Sequence, residues 1–211
     1  WNRLEQMAPL AVAVAAFLLY ASSIGYDFAA LDDQAFVYQN PLVVNGITQE
    51  SIRGAWTTAP EAYWAPLLWM SFMLDVECFG MTPMGFHWTN ALLFSLNAGL
   101  LCWLVRRWTE RTGVALFVSL LWAFHPARVE SVAWITERKD VLSGLFFLLG
   151  IGAYVEGRKG GLRGGIFWAF IFLVLGGMVK QVVIVMPAAM VLLDIWPLKR
   201  TSWGRLWRDL G

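Results

Sequence analysis

Long stretches without a charged residue alternate with short polar segments along most of this chain. Six such stretches lie between successive charges, at positions 6–26, 78–105, 112–127, 141–155, 164–179 and 181–193. A helix needs about 20 residues to cross a bilayer, so the first two are long enough alone and the last four are shorter. The pattern predicts an all-α, polytopic membrane helix bundle of about six spans. If 166–193 formed one long helix, the chain would have five spans.

The shortness of the last four stretches bears on function. They can span only if the charges that flank them enter the plane of the membrane. Such charges are tolerated where they face a bundle interior or a wet cavity. We therefore expect polar residues at the ends of these helices to line a site.

The basic residues are unevenly distributed when the start of the chain is placed in the cytoplasm and the side alternates at each span. Eleven of the 16 then fall inside, namely Arg3, Arg106, Arg107, Arg111, Arg158, Lys159, Arg163, Lys199, Arg200, Arg205 and Arg208. Ten of the 15 acidic residues fall outside. The positive-inside rule then predicts a long external loop at 27–77 and polar residues gathered at the non-cytoplasmic helix ends. The first span could instead be a cleaved signal peptide, although its apolar run at 7–24 exceeds the usual signal core.

Composition narrows the classes of function. Hydrophobic residues make up 58% of the 211 positions, which is too apolar for an ordinary soluble domain. A net charge of +1 gives no basis for binding nucleic acid. Cys78 and Cys102 flank an apolar stretch that would put them at opposite faces of a bilayer, so we expect no disulfide between them.

Two polar groups accompany the external loop. Asp32 and Asp33 follow the outer end of the first span, and adjacent carboxylates suit a general base or a cation site as well as a solvated turn. His87 opens the second span beside Thr89 and Asn90, where an imidazole and a helix N-terminus can together attract an anion. The many Trp and Tyr residues nearby are also what an aromatic belt at a membrane interface would contain. Within the loop, Thr48 is a plausible helix cap.

The segment 125–140 carries most of the remaining outer charge. If it is helical after Pro126, two of its acids share one face with Trp134; the alternative is a solvated loop of mixed charge. Further along, Lys180 lies between two apolar runs and could bind an anion or simply extend to the membrane surface. The residues of interest in this segment are His125, Glu130, Glu137, Arg138, Lys139 and Asp140.

Five segments recur here in a characteristic order and spacing. They are DDQAFVYQNPLV, GIT with YWAPLLWMSFMLD, FGMTPMGFHWTNALLFSLN, HPARVESVAWITERKDVLSGLFFLL and VKQVVIVMPAAMVLLDIWPL. Together they resemble bacterial membrane proteins related to the transmembrane-and-tetratricopeptide-repeat O-mannosyltransferases of the GT-C glycosyltransferase superfamily. The chain departs from that pattern at Gln181, where relatives usually carry Pro or Glu. On this resemblance, 1–211 is the N-terminal part of a GT-C-like transmembrane domain, with further spans and any tetratricopeptide repeats beyond it.

The resemblance implies an inverting glycosyltransferase in a bacterial inner membrane. It would move a sugar, with mannose as the expected one, from a polyprenyl-phosphate carrier to a hydroxyl acceptor, expected to be protein Ser or Thr, on the periplasmic or exterior side. Asp32 and Asp33 would supply the catalytic carboxylate. The lipid-linked sugar is the only cosubstrate implied, and a divalent cation is compatible with the aspartate pair although no closed ligand set indicates one. The donor phosphate would contact Arg138, Lys139, Lys180 and His87, and the site would be lined by His125, Glu130, Glu137 and Asp140.

Two other classes of function remain open from the sequence. A transporter or channel would use buried charges along a conduction path, but such proteins tend to place sites near the bilayer midplane and to show repeated halves. Here the charges gather at one face and no repeat is visible, which favours an enzyme. A non-catalytic membrane scaffold that presents a repeat domain is the third alternative.

The orientation can be tested by chemical labelling. In a version without other cysteines, Ala127→Cys should react with an impermeant maleimide added to intact cells, because the segment 125–140 is expected on the non-cytoplasmic side. Labelling that requires permeabilised cells would contradict the orientation.

Overall fold

The fold was analysed in a computed structural model, which describes residues 3–30, 32–160, 162–195 and 198. In these ranges the secondary structure is helical and no strand occurs. Short 3-10 or π turns connect several of the helices. The α-helices are α1 (Arg3–Tyr20), α2 (Pro41–Val44), α3 (Gln49–Thr57), α4 (Pro66–Phe79), α5 (Pro83–Thr109), α6 (Thr112–Ala123), α7 (Val129–Ala133), α8 (Arg138–Arg158), α9 (Gly165–Gly177) and α10 (Met186–Ile195).

The predicted all-α membrane bundle is confirmed. Three helical segments are long and apolar enough to cross a bilayer, at Glu5–Gly25, Pro83–Thr109 and Ile135–Arg158. A fourth candidate is the pair Thr112–Ala123 and Pro126–Ala133, which is bent by 61°. The last two expected spans correspond to the shorter apolar helices α9 and Gln181–Ile195. The basic residues expected at 199–208 lie outside the described residues.

Helix α1 packs against α5 through one stripe of residues. Ala8, Val12, Ala16 and Tyr20 are buried at intervals of four, which is the spacing of one helix face. The opposite face exposes large apolar side chains, as expected for a helix that contacts lipid. They are Leu10, Val14 and Leu18.

Helices α5 and α8 run parallel, and two polar contacts join them. Asn97, in the middle of α5, donates from Nδ2 to the carbonyl of Val141 near the start of α8 at 2.7 Å. Near their ends, the Arg107 guanidinium makes two hydrogen bonds to Glu156, at 2.9 and 2.6 Å.

Both cysteines are free, which confirms the prediction that Cys78 and Cys102 form no disulfide. Cys78 is exposed, and Cys102 is buried within α5.

A helical hairpin of α8 and α9 depends on two glycines. A Cβ atom added to Gly157 would lie 2.7 Å from the Cα of Gly165, and one added to Gly165 would overlap the backbone of Gly157. Real Cβ contacts do not approach so closely, so any side chain here would push the two helices apart.

The external loop is folded onto the ends of the later helices. Thr48 accepts from the backbone N–H of Ser51 at 3.0 Å, which confirms its predicted role as the cap of α3. The Tyr63 hydroxyl donates to the carbonyl of Val179 at 2.8 Å, and the N–H of Leu67 donates to the carbonyl of Met178 at 3.3 Å. The loop is thereby attached to the residues that immediately precede Lys180.

The segment after Pro126 is not one continuous helix, which was one of the two alternatives that the sequence left open. Trp134 has an extended backbone, with φ −95° and ψ 122°, and separates α7 from the 3-10 turn Ile135–Glu137. Carbonyls at this break lose helical partners and need others. The side-chain amide of Asn90 meets that need, donating to the carbonyls of Val132, Trp134 and Ile135 at 3.2 to 3.4 Å.

Arg138 occupies the centre of this arrangement and is completely buried. Its guanidinium pairs with the Asp75 carboxylate at 2.5 Å and donates to Oδ1 of Asn90 at 2.7 Å. It also donates to the carbonyls of Phe86 and Ser71 at 2.9 and 3.2 Å. One side chain therefore joins α4, α5 and α8.

Asp75 is the counter-ion of Arg138. It is buried in α4 and accepts a hydrogen bond from the Thr89 hydroxyl at 2.7 Å. Burial raises the pKa of the Asp75 carboxyl above its ordinary value, while Arg138 and the Thr89 hydrogen bond act in the opposite direction. The ion pair with Arg138 thus stabilises the charged form of Asp75 at this buried position.

Removing one member of the ion pair should destabilise the protein more than removing both. Arg138→Met or Asp75→Leu alone leaves a buried charge without its partner, at a cost of about 3–5 kcal/mol, and the double variant should recover a large part of that loss. Thermal unfolding of the full-length protein in detergent measures the effect. Arg53→Met, at an exposed position of α3, is the control. Additive losses in the double variant would contradict the pairing.

Candidate functional site

Asp33 fixes the acidic motif onto the segment that precedes α8. It is 1% exposed, and its Oδ1 accepts from both the N–H and the hydroxyl of Thr136, at 2.9 and 2.5 Å. Its Oδ2 accepts from the N–H of Ala29 at 2.8 Å. With three donors engaged, Asp33 is built to position the loop.

Asp32 differs from its neighbour because its side chain is exposed. It precedes the π turn Gln34–Tyr38, which contains Phe36. The Phe36 ring lies 5.6 Å from the Lys139 ammonium. The acidic motif therefore contacts the start of α8 at two points, Thr136 and Lys139, and leaves one carboxylate free to reach a ligand.

A cluster of alternating charges adjoins this contact. Lys139 pairs with Glu137 at 2.9 Å. Lys180 pairs with Asp140 and lies 3.9 Å from Glu137. Asp140 also accepts from the hydroxyl of a nearby serine, Ser131, at 3.0 Å. Each of these acids has a cationic partner, and the side chains of the pairs remain partly exposed.

The cluster forms one wall of a polar pocket of about 450 Å3. The Tyr63 ring closes another side, and burial together with the nearby carboxylates of Glu137 and Asp140 raises the pKa of Tyr63 to about 12. Tyr63 therefore stays a neutral hydrogen-bond donor at physiological pH. The lining residues are Phe36, Glu61, Tyr63, Glu137, Lys139, Lys180, Gln181 and Val182.

The rim of the polar pocket contains two residues in an unfavourable backbone conformation. Glu61 and Ala62 have φ of 52° and 56°, in the left-handed region that residues with a side chain seldom adopt. Such strain costs of order 1–3 kcal/mol per residue and persists where the surrounding contacts impose it. Here the contact is the attachment of Tyr63 to Val179.

A second cavity, of about 260 Å3, lies between α5, α6 and α8. We call it the apolar cavity. Asp140 lines it, whereas its partner Lys180 lines the polar pocket, so the ion pair forms a shared wall. The lining residues are Phe94, Asn97, Leu101, Trp122, Arg128, Ser131, Asp140, Val141, Gly144, Phe147 and Leu148.

Not all the residues predicted for the site meet at an open surface. Arg138 is fully buried with its donors engaged, so in this conformation it has no surface with which to contact a phosphate. His87 is also buried and neither ring nitrogen makes a hydrogen bond of ordinary geometry, although Asp27 and Asp33 lie near it. Both belong to the packing behind the pocket.

His125 and Glu130 are exposed and line neither of the two cavities. His125 instead caps a turn, with its Nδ1 accepting from the N–H of Ala127 at 3.2 Å. The break at Trp134 is the reason that Glu130 does not share a face with Glu137. The residues that do come together are Glu137, Lys139, Asp140 and Lys180, and Asp33 is joined to the adjacent Thr136.

The described residues contain no group of three or more His, Cys, Asp or Glu side chains that could hold a metal ion. Near the aspartate pair, Asp33 already accepts three hydrogen bonds and Asp32 faces outward. A cation there would have to draw further ligands from its substrate.

Sequence reasoning missed four residues that shape this region: Asp75, Arg128, Thr136 and Tyr63. A usable signal existed for Arg128. The predicted topology puts five basic residues outside, namely Arg53, Arg128, Arg138, Lys139 and Lys180. Among these five, only Arg53 is exposed and away from both cavities. Arg128, Lys139 and Lys180 line a cavity, and Arg138 is buried. The basic residues that the predicted topology puts outside therefore include those that line the two cavities. Thr136 and Tyr63 carry no such signal, because their roles depend on contacts 103 and 116 residues away in the chain.

The two aspartates should respond differently to removal of their charge. Asp33→Asn turns an acceptor into a group that presents N–H to the donors of Thr136 or Ala29, and should lower stability by about 1–3 kcal/mol. Asp32→Asn should leave the melting temperature of the full-length protein unchanged because its side chain is exposed. Equal losses of stability would contradict the distinct roles of the two residues.

No protein-family model matches the chain, and no solved structure matches it. Protein O-mannosyl-transferase tmtc2 of Xenopus laevis is 32% identical over 156 residues, which cover 71% of this chain and 19% of that protein. Protein O-mannosyl-transferase TMTC1 of Mus musculus is 35% identical over 112 residues, covering 53% of the chain and 12% of that protein.

A third relative extends the match along the chain. Protein O-mannosyl-transferase TMTC4 of Homo sapiens is 28% identical over 193 residues, covering 80% of the chain and 26% of that protein. The chain thus spans about a fifth to a quarter of the length of the relatives it matches most extensively. Over most of its length, it is similar in sequence to part of the protein O-mannosyl-transferases that carry the TMTC names.

Proposed function

We propose that this chain forms part of an inverting membrane glycosyltransferase that moves a sugar from a polyprenyl-phosphate carrier to a protein hydroxyl. The observation that carries the proposal is the attachment of the Asp32–Asp33 motif beside a polar pocket lined by Lys139 and Lys180. Two cations thus line the pocket, Phe36 of the acidic motif lines it as well, and Asp32 of the same motif has an exposed carboxylate. The similarity to proteins named O-mannosyl-transferases supports mannose as the sugar and protein Ser or Thr as the acceptor.

In this proposal Asp32 is the general base. It accepts the proton of the acceptor hydroxyl while the hydroxyl oxygen attacks the anomeric carbon of the donor sugar. The bond between that carbon and the phosphate oxygen breaks, and the phosphate leaves with the electron pair. A single displacement of this kind inverts the anomeric configuration. Asp33 does not react but holds the loop in place through Thr136.

The two lysines offset the charge that develops on the leaving phosphate. Lys180 and Lys139 are partly exposed and each is held by an acid, so they are fixed in direction before a ligand arrives. Fixed cations stabilise developing charge without the reorganisation that water would require. Arg138 contributes indirectly, by fixing the start of α8 from which Lys139 and Asp140 extend.

The proposed side of the membrane follows from the distribution of charge, and the type of membrane and the repeats follow from the family resemblance. The pocket lies at the opposite end of α5 and α8 from Arg107 and Glu156, and we place it on the non-cytoplasmic side of a bacterial inner membrane. Tetratricopeptide repeats beyond the chain would then meet the protein acceptor. No cosubstrate besides the lipid-linked sugar is needed for the displacement.

The mechanism predicts a large loss of transfer for one exposed residue. Asp32→Asn removes the base and should reduce transfer about 10²- to 10⁴-fold without changing the melting temperature. Transfer is measured with full-length protein, a polyprenyl-phosphate mannose donor and a Ser/Thr-rich peptide. Glu50→Gln, an exposed acid on α3 of the same loop, is the matched control. Transfer at the wild-type rate by Asp32→Asn would exclude Asp32 as the base.

The lysines should produce a different kinetic signature. Lys180→Met and Lys139→Met remove charges that bind the donor phosphate both before and during the reaction, so the donor KM should rise along with a fall in kcat. Changes in the peptide KM alone would contradict a phosphate contact.

A further inference from the structure

Two side chains that line the polar pocket have hydrogen-bonding capacity left for a ligand. The other polar groups of the lining are engaged, because the lysines and Glu137 are ion-paired and the Tyr63 hydroxyl donates to a backbone carbonyl. Glu61 and Gln181 are exposed, and neither side chain has an ion-pair or hydrogen-bond partner in the part of the chain that the structure describes. A ligand in the pocket therefore meets one free carboxylate and one free amide.

The chemistry of these two groups fits hydroxyls better than a phosphate. An ionised carboxylate only accepts hydrogen bonds and repels a phosphate, whereas its two oxygens can accept from two hydroxyls at once. The amide of Gln181 both donates and accepts, so it can bind a hydroxyl in either sense. Lys139 and Lys180, which line the same pocket, are the groups that suit a phosphate. The pocket thus has separate groups for the charged and the uncharged parts of one ligand.

Two aromatic rings give the polar pocket an apolar wall. Phe36 and Tyr63 both line it, and their ring centroids are 6.2 Å apart. A hexose carries hydroxyls around its edge and C–H groups on its faces, so it presents a polar and an apolar surface together. The volume of about 450 Å3 lies within the range of roughly 300–1,000 Å3 that small-molecule sites occupy. Aromatic rings with a few polar groups are the usual lining of such sites.

The backbone at Glu61 indicates that its side chain serves more than local structure. Glu61 and Ala62 follow each other in the left-handed region, with φ of 52° and 56°. Glycine adopts this conformation without a steric cost, and strained residues with a side chain cluster at ligand-binding sites. A glutamate held in this conformation at the edge of a pocket therefore indicates that a ligand uses its carboxylate.

We propose that Glu61 and Gln181 bind hydroxyl groups of the donor sugar and so determine which sugar the polar pocket accepts. The sugar ring packs on Phe36 and Tyr63, and its phosphate lies at the two lysines. The inference rests on the proposed function and deepens it, because it assigns residues to the selection of the sugar. A site that hydrogen-bonds a hydroxyl discriminates against an analogue that lacks it, since its polar groups are then left unpaired.

The test measures binding of soluble head groups, so it does not depend on sugar transfer. Full-length protein in detergent is titrated with mannosyl phosphate, with its monodeoxy analogues and with inorganic phosphate. At least one monodeoxy analogue should bind the wild type about ten- to a hundredfold more weakly than mannosyl phosphate. Glu61→Gly should bind that analogue and mannosyl phosphate about equally, because the carboxylate that detects the hydroxyl is gone.

Two further variants separate the carboxylate from the backbone. Glu61→Gly also relieves the left-handed conformation, so its melting temperature should stay close to the wild-type value. Ala62→Gly relieves the same kind of strain but keeps the carboxylate, so it should retain the wild-type loss of affinity for the deoxy analogue. Glu50→Gln, an exposed acid on α3, should match the wild type in every titration.

Gln181→Leu tests the second group independently of Glu61. It should remove the loss of affinity that follows deoxygenation at a different hydroxyl, and it should leave the loss detected by Glu61 in place. Inorganic phosphate should bind the wild type and both variants about equally, because the two lysines are unchanged. This variant keeps the test decisive if Glu61→Gly does not fold.

Four results would overturn the inference. The first is a wild type that binds every monodeoxy analogue as tightly as mannosyl phosphate. The second is a loss of wild-type size for every analogue in both Glu61→Gly and Gln181→Leu. The third is binding of mannosyl phosphate no tighter than that of inorganic phosphate, which would indicate an anion site that does not contact the sugar. The fourth is an effect of Glu61→Gly in the transfer assay that is confined to the peptide KM, which would put Glu61 at the acceptor.

Failure of the proposed function gives a different pattern. Selective binding of mannosyl phosphate, with the expected response of Glu61→Gly but without sugar transfer by the wild type, would contradict the proposed function and leave the sugar site standing. Transfer that persists with unchanged discrimination in both variants would contradict the sugar site alone.

Discussion

A full positive charge in a dry interior is the constraint on which this structure depends. Arg138 has no exposed surface, and a guanidinium in such a place is stable only if its donors are satisfied and its charge is offset. The Asp75 carboxylate offsets the charge of Arg138. Oδ1 of Asn90 and two backbone carbonyls accept hydrogen bonds from the Arg138 guanidinium. Because these partners belong to α4 and α5, the charge forces the external loop and two helices to meet at the start of α8.

The site is built on the irregular segment next to that charge. Trp134 breaks the helix, the Asn90 amide compensates the exposed carbonyls, and Thr136 is left with an N–H and a hydroxyl that Asp33 accepts. A continuous helix would have used the Thr136 N–H internally. The acidic motif is thus held by donors that exist only because the helix is interrupted, which explains how the start of a 50-residue loop is fixed without covalent links.

The sequence predicted what depends on local pattern. Hydrophobic stretches identified the helices, and Thr48 was found as a cap. The sequence could not predict whether a charged side chain faces inward, because Arg138 and the partly exposed Lys139 are neighbours with the same expected role. Their difference depends on Asp75 and Asn90, which lie 63 and 48 positions away. The sequence could not decide whether the segment after Pro126 is one helix for a related reason, since the Asn90 amide that compensates the break at Trp134 is far away in the chain.

The ion pair between Asp140 and Lys180 has a thermodynamic consequence, since its two members belong to different cavities. A ligand that draws Lys180 toward the polar pocket leaves Asp140 without a counter-ion at the edge of the other cavity, next to Arg128. Occupancy of one space therefore alters the free energy of filling the other, and linkage requires the effect to be equal in both directions. The Asp140–Lys180 salt bridge therefore couples the two cavities to the extent that a ligand in either one displaces it.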